Sequence, residues 1–212
     1  MIPHQPSAPF ATDLFQALAR HAHEQPHAIA CASRFRHASY RKLCSRIERA
    51  TARLQGEWHV QPGDVVAYCG HGHPDALVLY AALARCAATL LPLEHEAARA
   101  ALPALADRLR LVVCDDELAL PRMALVVHPL SSLIGERCPY QATVATPDLA
   151  ACSLLRMAGD GSLQPFSLRQ LAGVPASGGH DVHGALFDAD VFGPVVLPTL
   201  IAGATLAWPV PA

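Results

Sequence analysis

Short uninterrupted apolar runs alternate along this chain with longer segments whose apolar positions recur at helical spacing. The runs at residues 28–32, 65–69, 90–93, 111–114, 123–127 and 149–157 are too short for buried helices and predict strands. Between them, Leu14, Leu18 and His21 to Ala22 mark one face of a helix capped by Thr12 and Asp13. Ser39 is placed to cap a helix over 40–58, with Leu43, Ile47, Ala50 and Leu54 on one side and arginines on the other. Pro74 opens a third helix continuing over 75–88, and 94–109 forms a fourth. Residues 130–148 carry no periodic pattern and read as a connecting loop, and 158–165 as a glycine-containing turn. Ser167 caps a helical start, 182–200 is apolar and helical in part, and 204–208 is a closing strand. Helices alternating with continuous apolar strands give an α/β fold, a mostly parallel sheet covered by helices on both faces.

Composition narrows the classes. Of 212 residues, 52% are hydrophobic and only 16% charged, enough apolar material for a core. No run of about 18 uncharged apolar residues occurs, so no transmembrane helix is expected; the longest candidate, 76–93, contains Arg85 and Pro92. The N-terminus has no basic patch followed by an apolar stretch, which argues against a signal peptide and for a cytoplasmic location. Net charge is −2 and the arginines are dispersed, so neither nucleic acid nor a membrane surface is expected as partner. The seven cysteines form no C-x-x-C pair and mostly sit in apolar stretches, as free thiols in a reducing compartment do. Cys69, His71 and His73 are grouped, but no second cluster completes four ligands, so no metal site is expected.

Three segments in order carry a family resemblance. Ala38-Ser39-Tyr40-Arg41-Lys42-Leu43 precedes an amphipathic helix, Gln61-Pro62-Gly63-Asp64-Val65-Val66-Ala67 forms a turn and strand, and residues 82–92 read ALARCAATLLP. Together with LPTLIAGATL at 197–206, they resemble the N-terminal part of adenylate-forming enzymes, the acyl-CoA synthetase, AMP-binding and adenylation-domain superfamily. The resemblance implies an α/β N-terminal subdomain over 1–148 and the start of a second subdomain over 149–212, about half of the catalytic domain of full-length relatives.

That superfamily carries a Thr/Ser/Gly-rich loop ending in Pro-Lys, whose amides, hydroxyls and lysine hold the ATP phosphates. Here the corresponding stretch reads Met157-Ala158-Gly159-Asp160-Gly161-Ser162-Leu163-Gln164-Pro165. The resemblance therefore assigns Gly159, Asp160, Gly161, Ser162 and Gln164 to a degenerate phosphate loop. Gln164 stands for the lysine, most hydroxyls are gone, and Asp160 adds a repelling carboxylate. Each lost charge-assisted contact is worth roughly 1.5–3 kcal/mol, so no cofactor is expected, with Mg-ATP possible only if the loop retains binding. His180 and His183 fall where relatives line the acyl pocket, although as loop histidines they show no partner group. No catalytic residue emerges: Ser162 and Ser167 lack a G-x-S-x-G context, and Asp115-Asp116 read as a solvated strand end.

Three functions fit this reading. The first is a truncated, catalytically inactive relative that acts as a binding or assembly component of an acyl- or aryl-activating pathway. The second is one half of a split adenylating ligase, completed by a partner chain and activating a carboxylate with ATP. The third is a small acyl or aryl ligand-binding module. The apolar stretch 191–208, if left uncovered, would favour a protein partner or self-association through that region.

Overall fold

The computed structural model describes residues 10–33, 36–115, 120, 124–135, 138–142, 154–158, 161–166, 186–188 and 191–208. The first half runs α1 (Phe10–Glu24), β1 (Ile29–Ala32), β2 (His37–Ser39), α2 (Tyr40–Gly56), β3 (Val65–Cys69), α3 (Pro74–Arg85), β4 (Thr89–Leu93), α4 (His95–Leu105) and β5 (Leu111–Cys114). There follow β6 (Val127–Pro129), α5 (Leu130–Ile134), β7 (Leu154–Met157), β8 (Leu163–Phe166), α6 (Leu197–Ile201) and β9 (Leu206–Ala207).

Strands β6-β5-β3-β4-β7-β8 form one sheet in that order, and only the β7–β8 pair is antiparallel. Successive side chains of a strand point to opposite faces, and here both faces are buried. Val66, Tyr68, Leu90, Leu111 and Val113 join a core with residues of α2 and α3. Ala67, Cys69, Leu91, Leu93, Val112 and Cys114 join a second core with Ala98, Leu102 and Leu105 of α4. Burial on both faces is why these strands read as unbroken apolar runs rather than alternating ones.

A second sheet, β2-β1-β9, is closed by the last strand, which runs parallel to β1 with Cys31 opposite Leu206. Tyr40, fully buried, donates its hydroxyl hydrogen to the Ala204 carbonyl at 2.7 Å. The His21 ring lies 2.9 Å from the Ile201 carbonyl through Nε2. Phe192, Val196, Leu197, Leu200 and Leu206 all lie in the same core as α1, α2 and α3. These residues of the apolar stretch are packed inside the chain, because the return of β9 to β1 brings them onto the first helices.

Several elements differ in extent from the sequence pattern. Thr12 and Asp13 lie inside α1 rather than capping it, since the helix starts at Phe10. The strand expected over 123–127 is instead Val127–Pro129. The supposed loop after it begins with the one-turn helix α5, held by buried Leu130 and Leu133 three positions apart. The turn expected over 158–165 is shorter, because β8 starts at Leu163. The Ser39 cap is as expected, its Oγ accepting from the Lys42 amide at 3.3 Å. The helical start at Ser167 falls outside the described residues.

Candidate functional site

In an open parallel sheet, ligands collect beyond the carboxyl ends of the strands, where chain connections leave in opposite directions. Here that place lies between β3 and β5, because the chain passes from β3 to β4 on one side and then to β5 on the other. Just there, the Tyr68 hydroxyl donates to Asp115 Oδ1 at 2.7 Å and accepts from the His73 amide at 3.3 Å. The other Asp115 oxygen accepts the His71 amide at 2.9 Å. Gly70 sits between these groups, and a Cβ there would collide with the Asp115 carboxylate and the Tyr68 hydroxyl. Burial, then the neighbouring carboxylate and its hydrogen bond, push the Tyr68 hydroxyl far above its ordinary range.

The phenol keeps its proton, and the carboxylate accepts one hydrogen bond on each oxygen. The arrangement fastens the loop after β3. Asp115 stands at the strand end that the sequence suggested but is half-buried, with both oxygens engaged; Asp116 lies outside the described residues. Tyr68 was the missed signal, a lone phenol in an aliphatic strand whose buried hydroxyl requires a partner.

The same loop leads into α3. His73 Nδ1 accepts the Asp75 amide at 3.1 Å, capping the helix. Asp75 pairs with Arg46 of α2 at 2.9 Å. Cys69 is buried at the end of β3, and burial followed by the proximity of Cys114 and Asp115 pushes its thiol up to about 12. His71 enters this arrangement through its backbone amide and His73 caps α3, and among the described residues no group of three potential ligands could hold a metal.

The stretch assigned to a phosphate loop closes as a tight hairpin between β7 and β8. The Gly161 amide donates to the Ala158 carbonyl at 2.9 Å, and the Ala158 amide to the Ser162 carbonyl at 2.8 Å. Gly161 has φ +79°, the left-handed conformation that glycine adopts readily in turns. A phosphate nest needs several amides converging on one anion; two of the amides here are already bonded within the turn. Gln164 and Ser162 are exposed, and Gln164 stands opposite Arg156 across the ladder. Gly159, Asp160, His180 and His183 lie outside the described residues, so the structure brings together only Gly161, Ser162 and Gln164 of the expected set.

A family model, that of AMP-binding enzymes, matches residues 18–134. The chain belongs to the AMP-binding enzyme family. A sequence search of curated proteins finds no match. Among solved structures, this AMP-binding family member is similar to the Klebsiella oxytoca NpsA N-terminal subdomain, with 20% identity and a TM-score of 0.70 over 96% of this chain and 54% of that one. It is likewise similar to Klebsiella oxytoca NpsA in complex with 3-hydroxyanthranilyl-AMSN, at 18% identity and TM-score 0.73 over 94% of this chain and 43% of that one. The nonribosomal peptide synthetase FmoA3 gives 21% identity and TM-score 0.71 over 94% and 23% respectively. These likenesses establish the α/β fold of an N-terminal adenylation subdomain, and the chain spans about half the length of the NpsA subdomain that it matches.

Proposed function

We propose that this member of the AMP-binding family has kept the N-terminal scaffold and lost its nucleotide chemistry. It acts as a non-catalytic binding or assembly component in a pathway that activates acyl or aryl carboxylates. The observation that carries this reading is the hairpin at Ala158 to Ser162, whose Ala158 and Gly161 amides bond within the turn. With Gln164 in place of the family's lysine, the turn also lacks the cation that would neutralise a triphosphate. The likeness to NpsA, solved with 3-hydroxyanthranilyl-AMSN, makes an aryl-acid pathway the first to consider. A cytoplasmic setting suits its free, buried thiols; no described helix is long and apolar enough to cross a membrane.

Calorimetric titration with Mg-ATP, with AMP as control, tests this. No saturable heat up to several millimolar is the expected result, and saturable binding of Mg-ATP overturns it.

A second reading is half of an adenylating ligase whose remaining part is supplied by another polypeptide. Arg156 favours it, since this arginine stands directly opposite Gln164 and keeps a positive charge on that ladder position. ATP–pyrophosphate exchange that appears only when a complementing chain is added supports this alternative, and its absence with every complementing chain rejects it.

A further inference from the structure

Strand β6 is an outer strand of the larger sheet and pairs with β5. Its Val127 and Pro129 are exposed, while His128 between them is half-buried. The His128 imidazole lies flat on the Trp58 indole, with ring centres 4.0 Å apart and planes 6° from parallel. Trp58 is buried just past the end of α2, and its carbonyl accepts Arg110 Nη2 at 3.5 Å. The Val126 carbonyl, at the start of β6, accepts the Val112 amide of β5 at 2.9 Å. The helix that follows has its own attachments: Leu130 and Leu133 of α5 are buried, and Arg53 donates to the Leu133 carbonyl at 3.2 Å. The three-residue strand thus sends one side chain inward, and that side chain can titrate.

A neutral imidazole gives up water on one face to an indole at little cost. An imidazolium brings a charge and two donors that want water. Two effects then compete. A cation over the face of a tryptophan is attracted by about 0.5–1 kcal/mol at exposed sites, whereas loss of water disfavours the charged ring. Burial is the larger influence here and holds His128 below its ordinary value of 6.5, with Glu57 pulling the other way. Glu57 is half-exposed and already paired with Arg53 at 3.0 Å, so its pull is screened and shared. From β5, the Cys114 thiol donates to the His128 carbonyl at 3.7 Å. Arg110 meets the stack only through the Trp58 carbonyl, His59 beside Trp58 is exposed, and α5 carries no titratable side chain.

We propose that the stack of His128 on Trp58 is a proton-sensitive latch: acidification charges the imidazole and releases β6 from the sheet edge while the rest of the fold stays in place. The attached strand holds its His128 proton less tightly than the released strand does, so a fall in pH favours release. The latch is complete above about pH 6.5 and weakens as pH falls below that value towards the lowered one. At the acid limit, each unit between the attached and released values multiplies the released fraction by about tenfold. Release uncovers the Trp58 indole and the edge of β5, a pairing surface that is closed at neutral pH. The device is separate from the hairpin and does not depend on whether the chain binds ATP.

The test is NMR of the isotope-labelled full chain between pH 7.5 and 5. The His128 ring signal, assigned in the parent protein by its proximity to the Trp58 indole, is expected to titrate with a midpoint below 6.5. Exchange protection of the Val112 amide, corrected for the intrinsic pH dependence of exchange, should fall across the same window by about threefold or more, while the amides of α3 keep theirs. His128→Phe keeps a flat ring without a proton to gain, and its Val112 protection should not change with pH. A His128 midpoint at or above 6.5 would overturn the proposal, since the indole would then favour the charged ring. So would Val112 protection that does not follow His128, an equal loss in α3, or an acid-dependent loss that survives in His128→Phe. The first two readouts need only the parent protein, so the proposal stays open to refutation even if the variant fails to fold.

Discussion

Asp115 at the end of β5 accepts the hydroxyl hydrogen of Tyr68 on the neighbouring strand β3 at 2.7 Å, and with its second oxygen accepts the amide of His71. One carboxylate therefore joins two strands and the loop that leads to α3. Replacing Tyr68 by Phe removes one charge-assisted bond, and a loss of roughly 1.5–3 kcal/mol is expected. Asp115→Ala should lose more, because it also frees the buried Tyr68 hydroxyl and the His71 amide. Urea unfolding of the two variants measures the order; a Tyr68→Phe protein as stable as the parent would show that the pair contributes nothing.

Phe192 is fully buried, with its ring 4.8 Å from that of Tyr80 and edge-on to it. If the C-terminal stretch belongs to the core, Phe192→Ala should destabilise the whole protein by about 3–5 kcal/mol. Thermal unfolding read by far-UV circular dichroism checks this. An unchanged midpoint would mean that the segment is not integral to the fold.

Cys31, Cys69 and Cys86 are pushed up by burial, above all other causes, from 9.0 to about 12. In the unfolded chain these thiols ionise near their ordinary value, while the folded chain holds the protons, so the unfolded state binds fewer protons above that point. Their contribution to stability is complete below about pH 9 and declines as pH rises from there towards about 12. Denaturant midpoints measured from neutral to alkaline pH should fall through this window, and thiol labelling of the native protein at pH 8 should be slow at these three positions.

Gln164→Lys tests the proposal that the hairpin is a phosphate loop that has lost its function. Restoring the cation leaves the Ala158 and Gly161 amides bonded within the turn. The variant should gain at most a weak, salt-sensitive attraction for ATP, of the order of 1 kcal/mol for an exposed charge. Micromolar Mg-ATP binding by this single variant in calorimetry would mean that the lysine alone had been missing.

Much of the architecture was determined by the sequence. Val65 to Cys69 and Leu111 to Cys114 are unbroken apolar runs because both sheet faces are covered, and that burial pattern is written in the residue types themselves. Ser39 and Pro74 mark their helix starts through local chemistry, a side-chain acceptor and a fixed φ, which act without any distant partner. The ordered segments around Tyr40, Pro62 to Asp64 and residues 82–92 were enough to suggest the family that the match over 18–134 establishes.

Tertiary structure decided what depends on contacts between distant residues. Nothing near Asp115 in the chain announces Tyr68, 47 positions earlier; only the parallel pairing of β3 and β5 brings them together. What covers the stretch 191–208 was not legible, because α1 and β1, against which it packs, lie at the other end of the sequence. Local periodicity records which faces are buried, but not against what. Which carboxylate or carbonyl meets a given polar group is set by the crossing of elements remote in sequence.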